Sequence, residues 1–297
     1  MVYSEIATNK RKTALFLTGF LLLIIALGWG LSYYADQPAL LPIAVIFAVV
    51  MNFISYFYSD KIVLSMSGAK EIKRTDDPEL YRTVENLSIA AGLPTPKIYL
   101  IEDTAPNAFA TGRDPKHAVV AITTGLRTKL TKQELEGVMA HELSHIGNYD
   151  IRLATVIVVL VGVITLLADW MFRIAFHGRR KNGGNAFFAA IALVLALLAP
   201  LAATLIQLAI SRKREFLADA SGVLLTRYPQ GLASALKKIA ADHEPLEVAN
   251  KATAHLYIVN PLKEHIDSGD QIGWFAKLFM THPPINERID KLSNMGM

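Results

Sequence analysis

The residues His141, Glu142 and His145 have the types and the spacing that a catalytic metal site requires. Residues four positions apart lie on one face of a helix, so both imidazole rings can bind one zinc ion while Glu142 points toward a metal-bound water. Zinc lowers the pKa of such a water toward neutrality, and the glutamate can accept its proton as hydroxide attacks a carbonyl carbon. Five-residue patterns also arise by chance, and the alternative is a pair of polar histidines on a surface helix.

A third ligand is required, and Glu215 is the candidate. Glu215 and Asp219 are four residues apart in a polar segment, so they share one face of a predicted helix. One carboxylate can bind zinc while the other accepts the free N–H of a histidine ligand. The alternative is a solvated acidic pair beside Arg212 and Arg214.

The composition narrows both the metal chemistry and the class of protein. Cysteine is absent from the 297 residues, which excludes disulfides and leaves His, Asp and Glu as ligands for any metal. This ligand set is typical of catalytic rather than structural zinc sites. Hydrophobic residues make up 52% of the chain and charged residues only 19%, which indicates that part of the chain lies in lipid. The net charge of +4 is modest and no basic stripe with interleaved aromatic residues is present, so we expect no nucleic-acid partner.

Two apolar runs near the start of the chain predict a transmembrane hairpin. They cover about Ala14–Tyr33 and Ala39–Tyr58, and each is long enough to cross a lipid bilayer. Basic residues precede the first run at Lys10–Lys12, and Lys61 follows the second. Because basic residues favour the cytoplasmic side, we expect both ends of this hairpin inside the cell.

Helix and strand signals follow between residues 59 and 149. An acidic cap predicts a helix that includes Pro78–Ala91, with Gly92 as its stop. Short strands are predicted at three places: Lys97–Ile101, Asn107–Gly112 and His117–Thr123. Thr131 and Glu134 form a capping box that opens the next helix. The H-E-x-x-H motif therefore lies on a helix, as its chemistry requires.

Two further apolar runs predict a second hairpin between the histidine motif and Glu215. They cover about Ile151–Ala175 and Ala186–Ile210. A hairpin would return Glu215 to the membrane face at which the histidine helix ends, so both halves of the zinc site would meet. The basic loop Arg179–Lys181 would then lie outside, against the positive-inside tendency. The alternatives are an orientation set by the first hairpin, partial insertion of the second, or its packing inside the catalytic domain.

We therefore predict a mostly helical membrane protein with a small β-sheet. Its N-terminal part is a pair of transmembrane helices, and its catalytic part is a zincin-like protease domain interrupted by a second hydrophobic helical hairpin. The predicted boundaries are residues 1–58 for the first hairpin, 59–150 for the first part of the protease domain, 151–210 for the second hairpin and 211–297 for the remainder. One zinc ion (Zn2+) is expected per chain.

Four short segments together form a specific pattern: Pro106–Gly112, His141–His145, Glu215–Asp219, and Thr281–Pro284 followed by Glu287 and Arg288. They resemble the HtpX-type membrane metalloproteases, which belong to the same peptidase family as the type I CAAX prenyl proteases, and the similarity covers nearly the whole chain. This resemblance implies that His141, His145 and Glu215 bind zinc. It also implies that Glu142 is the general base and that Asp219 orients a histidine ligand.

The same resemblance implies roles for Asn107 and His282. The matching residues of relatives flank the scissile carbonyl, which implies that both stabilise the developing oxyanion. Asn107 also lies on a predicted edge strand, to which an extended substrate could add through main-chain hydrogen bonds. From the residues alone, the alternative is a turn asparagine and a helix-capping histidine before Pro283.

The leading functional hypothesis is a zinc-dependent endopeptidase that cleaves membrane or unfolded proteins. The resemblance implies a role in membrane protein quality control under stress. We expect a multi-pass protein of a bacterial cell membrane, and the basic ends of the first hairpin predict that its active site is on the cytoplasmic side. A CAAX-type processing protease is an alternative.

A second alternative is a membrane binding or transport protein with a structural zinc. Asp169 lies inside the third apolar run, and a charge at such a position could mark a transport path. Glu142 argues against that reading, because a structural zinc has closed coordination and needs no acid beside it. The sequence does not define an oligomeric state.

Overall fold

The computed structural model describes residues 2–177, 212–242, 244, 246, 253, 256–259 and 283–295. Within these ranges the chain is mostly helical and contains one small sheet, which confirms the predicted fold class. The helices are α1 (Val2–Ala35), α2 (Leu40–Phe57), α3 (Ser59–Met66), α4 (Pro78–Ala91), α5 (Thr124–Lys129), α6 (Lys132–Gly147), α7 (Asp150–His177), α8 (Arg212–Thr226), α9 (Pro229–Ala241) and α10 (Ile285–Asn294). A short 3-10 turn covers Pro115–His117.

Helices α1 and α2 form the predicted N-terminal hairpin. Their stretches Ile6–Gly30 and Leu40–Phe57 are long and apolar enough to cross a membrane. The two helices approach closely at Gly28, where an added Cβ would lie 2.1 Å from the Cβ of Ala44. Large apolar side chains of α2, such as Phe53, are exposed on the outside of the hairpin. An apolar outer surface of this kind is what a helix in lipid requires.

Helix α7 contains the third stretch that could cross a membrane, Asp150–Leu167. Half of this stretch is buried inside the protein, against 11% of the stretch in α2. One apolar cluster joins α7 to the hairpin: Phe20, Ile24, Ala48, Val156 and Leu160. Near the start of α7, Ile151 belongs to the core of the catalytic domain. Helix α7 therefore connects the membrane hairpin to that domain.

A mixed four-stranded sheet packs against α6. Its strands are β1 (Lys70–Glu71), β2 (Lys97–Ile101), β3 (Ala108–Thr111) and β4 (Val119–Thr123), in the order β1-β2-β4-β3. The central pair β2–β4 is parallel, and the two outer pairs are antiparallel. Strand β3 is thus the predicted edge strand, and it lies beside the helix that carries the histidine motif.

Helix α6 lies in the core of the catalytic domain. The predicted capping box is present at its start: the Glu134 carboxylate accepts from the backbone N–H of Thr131 at 2.8 Å, and the Thr131 hydroxyl accepts in return. Helices α4, α8 and α9 pack around it. At Gly137 an added Cβ would lie 2.6 Å from the backbone nitrogen of Leu232 in α9. The absence of a side chain at Gly137 therefore permits the close crossing of α6 and α9.

Two predictions fall on residues that the structure does not describe. The fourth apolar run, Ala186–Ile210, and the basic loop Arg179–Lys181 lie outside the described residues. The first half of the second hairpin is helical, as expected, but its return is not described. The boundaries at residues 58, 150 and 210 stay predictions.

Candidate metal centre

Helices α6 and α8 bring the three expected zinc ligands together. The Nε2 atoms of His141 and His145 are 3.1 Å apart. Glu215, in the first turn of α8, places its carboxylate oxygens 3.7 Å from Nε2 of His141 and 3.5 Å from Nε2 of His145. One ligand atom from each of the three residues lies within 4.8 Å of the other two. Ligand atoms of a tetrahedral zinc ion are separated by about 3.3 Å, so this triangle fits one such ion.

A carboxylate lies against the far side of each histidine ring. Nδ1 of His141 is 2.9 Å from Oδ1 of Asp219, and Nδ1 of His145 is 3.0 Å from Oδ2 of Asp150. A proton on each Nδ1 would be donated to these carboxylates, which leaves both Nε2 lone pairs facing Glu215. Asp219 is therefore the expected partner of one histidine, and Asp150 is a partner of the other histidine that the sequence analysis missed. In the sequence, Asp150 is notable only as an acidic residue directly before an apolar run.

Arg288 of α10 is the second residue that the sequence analysis left without a role. Its guanidinium group is fully buried and donates to both carboxylate oxygens of Asp219, at 2.9 and 2.7 Å. Nη1 also donates to the backbone oxygen of Ile258 at 3.0 Å and lies 3.6 Å from Glu215. The two hydrogen bonds from Arg288 fix the carboxylate of Asp219, which in turn holds the ring of His141.

The buried charges around the histidines are unbalanced within the described part of the chain. Four carboxylates and two guanidinium groups are buried there: Glu142, Asp150, Glu215, Asp219, Arg214 and Arg288. In the protonation state that metal binding requires, with both histidines neutral and Glu142 ionised, two negative charges remain in excess, which is the charge that a divalent cation supplies. The donor set of two imidazoles and one carboxylate is also typical of catalytic zinc. The site therefore fits a divalent metal ion in both charge and donor chemistry.

The titration of Glu142 and His145 reflects the same environment. Burial raises the pKa of Glu142 to about 7, and the neighbouring Glu215 adds to this rise. Burial alone would lower the pKa of His145, but the hydrogen bond to Asp150 and the charge of Glu215 outweigh it and raise that pKa to about 9. A carboxyl group with a pKa near neutrality can both accept and donate a proton at physiological pH.

Strand β3 brings Ala110 to the motif, and Asn107 directly precedes this strand. The backbone N–H of Ala110 donates to the Glu142 carboxylate. The side chain of Asn107 is buried, and its Nδ2 donates to the backbone oxygen of Val259 at 3.0 Å. The N–H of Ile258 donates to the oxygen of Ala108 at 2.9 Å, so residues 257–259 cover part of the free edge of β3. His282 lies outside the described residues, directly before the buried Pro283.

Known proteases are similar to this chain over most of its length. The model of Peptidase family M48 matches residues 74–296. The chain is 48% identical to the protease HtpX homolog of Tropheryma whipplei (strain TW08/27), over 100% of this chain and 99% of that protein. It is 47% identical to the protease HtpX homolog of Dictyoglomus turgidum, over 99% of this chain and 95% of that protein.

A solved structure shares the fold. The crystal structure of S. mikatae Ste24p aligns with a TM-score of 0.51 and 19% identity, over 97% of this chain and 67% of that chain. The family match covers the whole described metal cluster, and the similarity to the HtpX homologs extends over the membrane hairpin as well. The chain therefore belongs to peptidase family M48 and is a membrane metalloprotease of the HtpX type.

Proposed function

We propose that the protein is a zinc-dependent endopeptidase in which His141, His145 and Glu215 hold the metal. The observation that carries this proposal is the meeting of their three ligand atoms within 4.8 Å, next to a buried acid. The excess of two buried negative charges, counted with neutral histidines and an ionised Glu142, supports a divalent ion. Zinc is favoured among such ions because imidazole and carboxylate in this H-E-x-x-H arrangement suit it.

The other residues of the site would transfer protons, position a ligand or stabilise charge during peptide hydrolysis. When bound, zinc would polarise the scissile carbonyl and acidify a water molecule. Glu142 takes the proton of the attacking water and delivers it to the leaving amine. Asp219 holds the ring of His141 through Nδ1. We propose that Asn107 and His282 donate to the developing oxyanion, which requires Asn107 to exchange its present bond to Val259.

We infer that the catalytic domain faces the cytoplasm and that its substrates are membrane or unfolded proteins. The basic ends of the first hairpin adjoin that domain: Lys10 lies 4.6 Å from the centre of the Tyr149 ring, and Arg113 lies 5.6 Å from the centre of the Phe57 ring. Because basic flanks favour the inner side of a bacterial membrane, the protease domain is on that side. Membrane protein quality control is the role that this location suits.

The catalytic step is tested with Glu142→Gln in detergent, with casein as an unfolded substrate. Wild type should cleave casein, a chelator should stop cleavage, and Glu142→Gln should retain one zinc while losing cleavage. The matched control is Glu136→Gln, a half-exposed acid of the same helix that pairs with Lys132 at 4.0 Å, and it should remain active. A structural zinc, as in the binding-protein alternative, predicts that Glu142→Gln leaves function unchanged.

The orientation is tested with single cysteines, because the natural chain has none. Gln37, in the exposed turn between α1 and α2, should be labelled by a membrane-impermeant maleimide in intact cells after Gln37→Cys. Lys132, exposed at the start of α6, should be labelled only after lysis when changed to cysteine. The reverse pattern would refute the cytoplasmic location.

The transport alternative finds no support in the described residues. Asp169 is exposed and pairs with Arg173 at 2.7 Å, one turn further along α7. This pair lies beyond the apolar stretch Asp150–Leu167, as expected for an interfacial position. A polar pair on an exposed helix face does not form a path through the protein.

A further inference from the structure

A sharp turn between α6 and α7 brings Asp150 back toward the metal centre. Helix α6 ends at Gly147 and α7 begins at Asp150, so only Asn148 and Tyr149 connect them. Tyr149 has a φ of 60°, in the left-handed region that residues other than glycine rarely adopt. The turn places Oδ2 of Asp150 at 3.0 Å from Nδ1 of His145, five positions earlier in the chain. The position of His145 therefore depends on how this turn is held.

The first membrane helix holds the turn through Asn9. Nδ2 of Asn9 donates to Oδ1 of Asp150 at 2.8 Å and to the backbone oxygen of Asn148 at 3.0 Å. Its Oδ1 accepts from Nη1 of Arg214 at 3.3 Å. Asn9 is only 1% exposed, so all of these bonds are made away from water. Both ends of the amide are engaged, which fixes its orientation.

Arg214 extends this network to the other half of the site. Its Nη1 lies 3.5 Å from Oδ1 of Asp150, and it directly precedes Glu215 in α8. One carboxylate oxygen of Asp150 thus faces Asn9 and Arg214, while the other faces His145. A carboxylate held in this way can accept the Nδ1 proton in one direction only.

We propose that Asn9 is a positioning residue of the metal centre: by fixing Asp150, it sets the ring of His145 so that Nε2 faces the metal. This inference rests on the proposed role of His145 as a ligand. The first membrane helix is then part of the metal centre, and its function goes beyond anchoring the protease to the bilayer.

A purely structural role of Asn9 makes a different prediction, and Asn52 provides the matched control. Nδ2 of Asn52 in α2 donates to the backbone oxygen of Leu17 in α1 at 3.0 Å. Asn9 and Asn52 therefore both join α1 to another part of the protein by an amide hydrogen bond, but only Asn9 contacts Asp150. Asn9→Ala and Asn52→Ala should both lower the thermal stability of the full chain in detergent. Only Asn9→Ala should alter the metal.

The experiment measures zinc affinity by competition with a chelator, in full-length protein that carries Glu142→Gln to prevent self-cleavage. We expect Asp150→Asn to weaken zinc binding roughly 10- to 100-fold, the range for residues that hold a ligand. We expect Asn9→Ala to weaken it about three- to tenfold, as the loss of one buried hydrogen bond predicts. Asn9→Leu fills the same space without a hydrogen-bond donor and should reproduce this loss. It therefore provides the test if Asn9→Ala does not fold.

Two further measurements separate positioning from packing. In protein that already carries Asp150→Ala, Asn9→Ala should cause no additional loss of zinc affinity, because its effect passes through Asp150. With cobalt in place of zinc, the visible absorption bands should change in Asn9→Ala and not in Asn52→Ala. Equal zinc affinity in Asn9→Ala and Asn52→Ala would refute the inference while the proposed zinc site stands. Absence of zinc binding in the Glu142→Gln reference protein would refute both.

Discussion

Glu134 anchors the helix that carries the histidine motif, and its removal should destabilise the protein in a pH-dependent way. Its carboxylate accepts from Ser234 Oγ at 2.6 Å and from Lys238 Nζ at 2.7 Å, both in α9. It also accepts from the backbone N–H of Thr131 at 2.8 Å. Glu134→Gln keeps the size of the side chain and removes its charge, so it tests these contacts without opening a cavity.

The size of the effect follows from the pKa of Glu134. Burial alone would raise that pKa, but the hydrogen bonds from Lys238, Ser234 and Thr131 outweigh it and lower it from 4.5 to about 2. A difference of about 2.5 units corresponds to roughly 3.4 kcal/mol as an upper limit. Because the side chain of Lys238 is 43% exposed, water screens part of this ion pair, and we expect a loss of about 2 kcal/mol at pH 7.

The sign of the pH dependence is fixed by the lowered pKa. The folded protein binds the Glu134 proton less tightly than the unfolded chain, so the carboxylate stabilises the fold above about pH 4.5. This contribution is lost as the pH falls toward about 2, where both states are protonated. The difference in free energy of unfolding between wild type and Glu134→Gln should therefore shrink across that interval.

Urea unfolding in a non-ionic detergent, followed between pH 7 and pH 3, measures this difference. Glu136→Gln is the control, because Glu136 lies two residues away and its partner Lys132 is 4.0 Å distant and exposed. The control should change the free energy of unfolding by less than about 0.5 kcal/mol at every pH. A loss for Glu134→Gln that is independent of pH, or one no larger than that of Glu136→Gln, would contradict the argument.

Two other substitutions test the packing around the site. Gly137→Ala would place a Cβ 2.6 Å from the backbone nitrogen of Leu232 and should lower the free energy of unfolding by about 1–3 kcal/mol, as overpacking does. Gly147→Ala at the end of the same helix meets only side-chain atoms, at 3.7 Å or more, and should be neutral; equal effects in thermal unfolding would show that the close crossing is unimportant. Arg288→Met leaves the buried carboxylate of Asp219 uncompensated and should cost about 3–5 kcal/mol. Arg288→Lys keeps the charge without the paired contact and should restore stability more than zinc affinity, which chelator competition would detect; full recovery of both would refute an orienting role.

The features that sequence analysis predicted well are those with local causes. The helix stop at Gly92 was predictable because the backbone there is left-handed, with a φ of 66°, which favours glycine. The capping box of Thr131 and Glu134 was predictable because both partners lie within one turn. Likewise, the spacing of His141 and His145 places their rings on one helix face whatever the rest of the fold does.

The features that it missed depend on contacts between distant parts of the chain. Asn9 reads as a polar residue before a membrane helix, and nothing in its neighbourhood indicates a partner 141 positions away. Asp150 reads as the boundary of an apolar run, and it contacts His145 across a turn in which Tyr149 has a φ of 60°. The contact of Arg288 with Asp219 likewise joins residues 69 positions apart. Each of these contacts depends on how the helices pack in the folded protein. Local sequence patterns carry no information on that packing.

The distribution of the site along the chain has a consequence for when the protein can become active. The proposed ligands come from α6 and α8, while the groups that hold them come from α1, α7, α8 and α10. Without Asp150 and Asp219, the rings of His145 and His141 would be free to turn. If Asn9 positions His145 as proposed, a copy whose membrane hairpin is not docked on the catalytic domain should bind zinc more weakly, because Asp150 is then not held by Asn9. This dependence would favour cleavage by copies of the protease that are already assembled in the bilayer over cleavage by nascent copies.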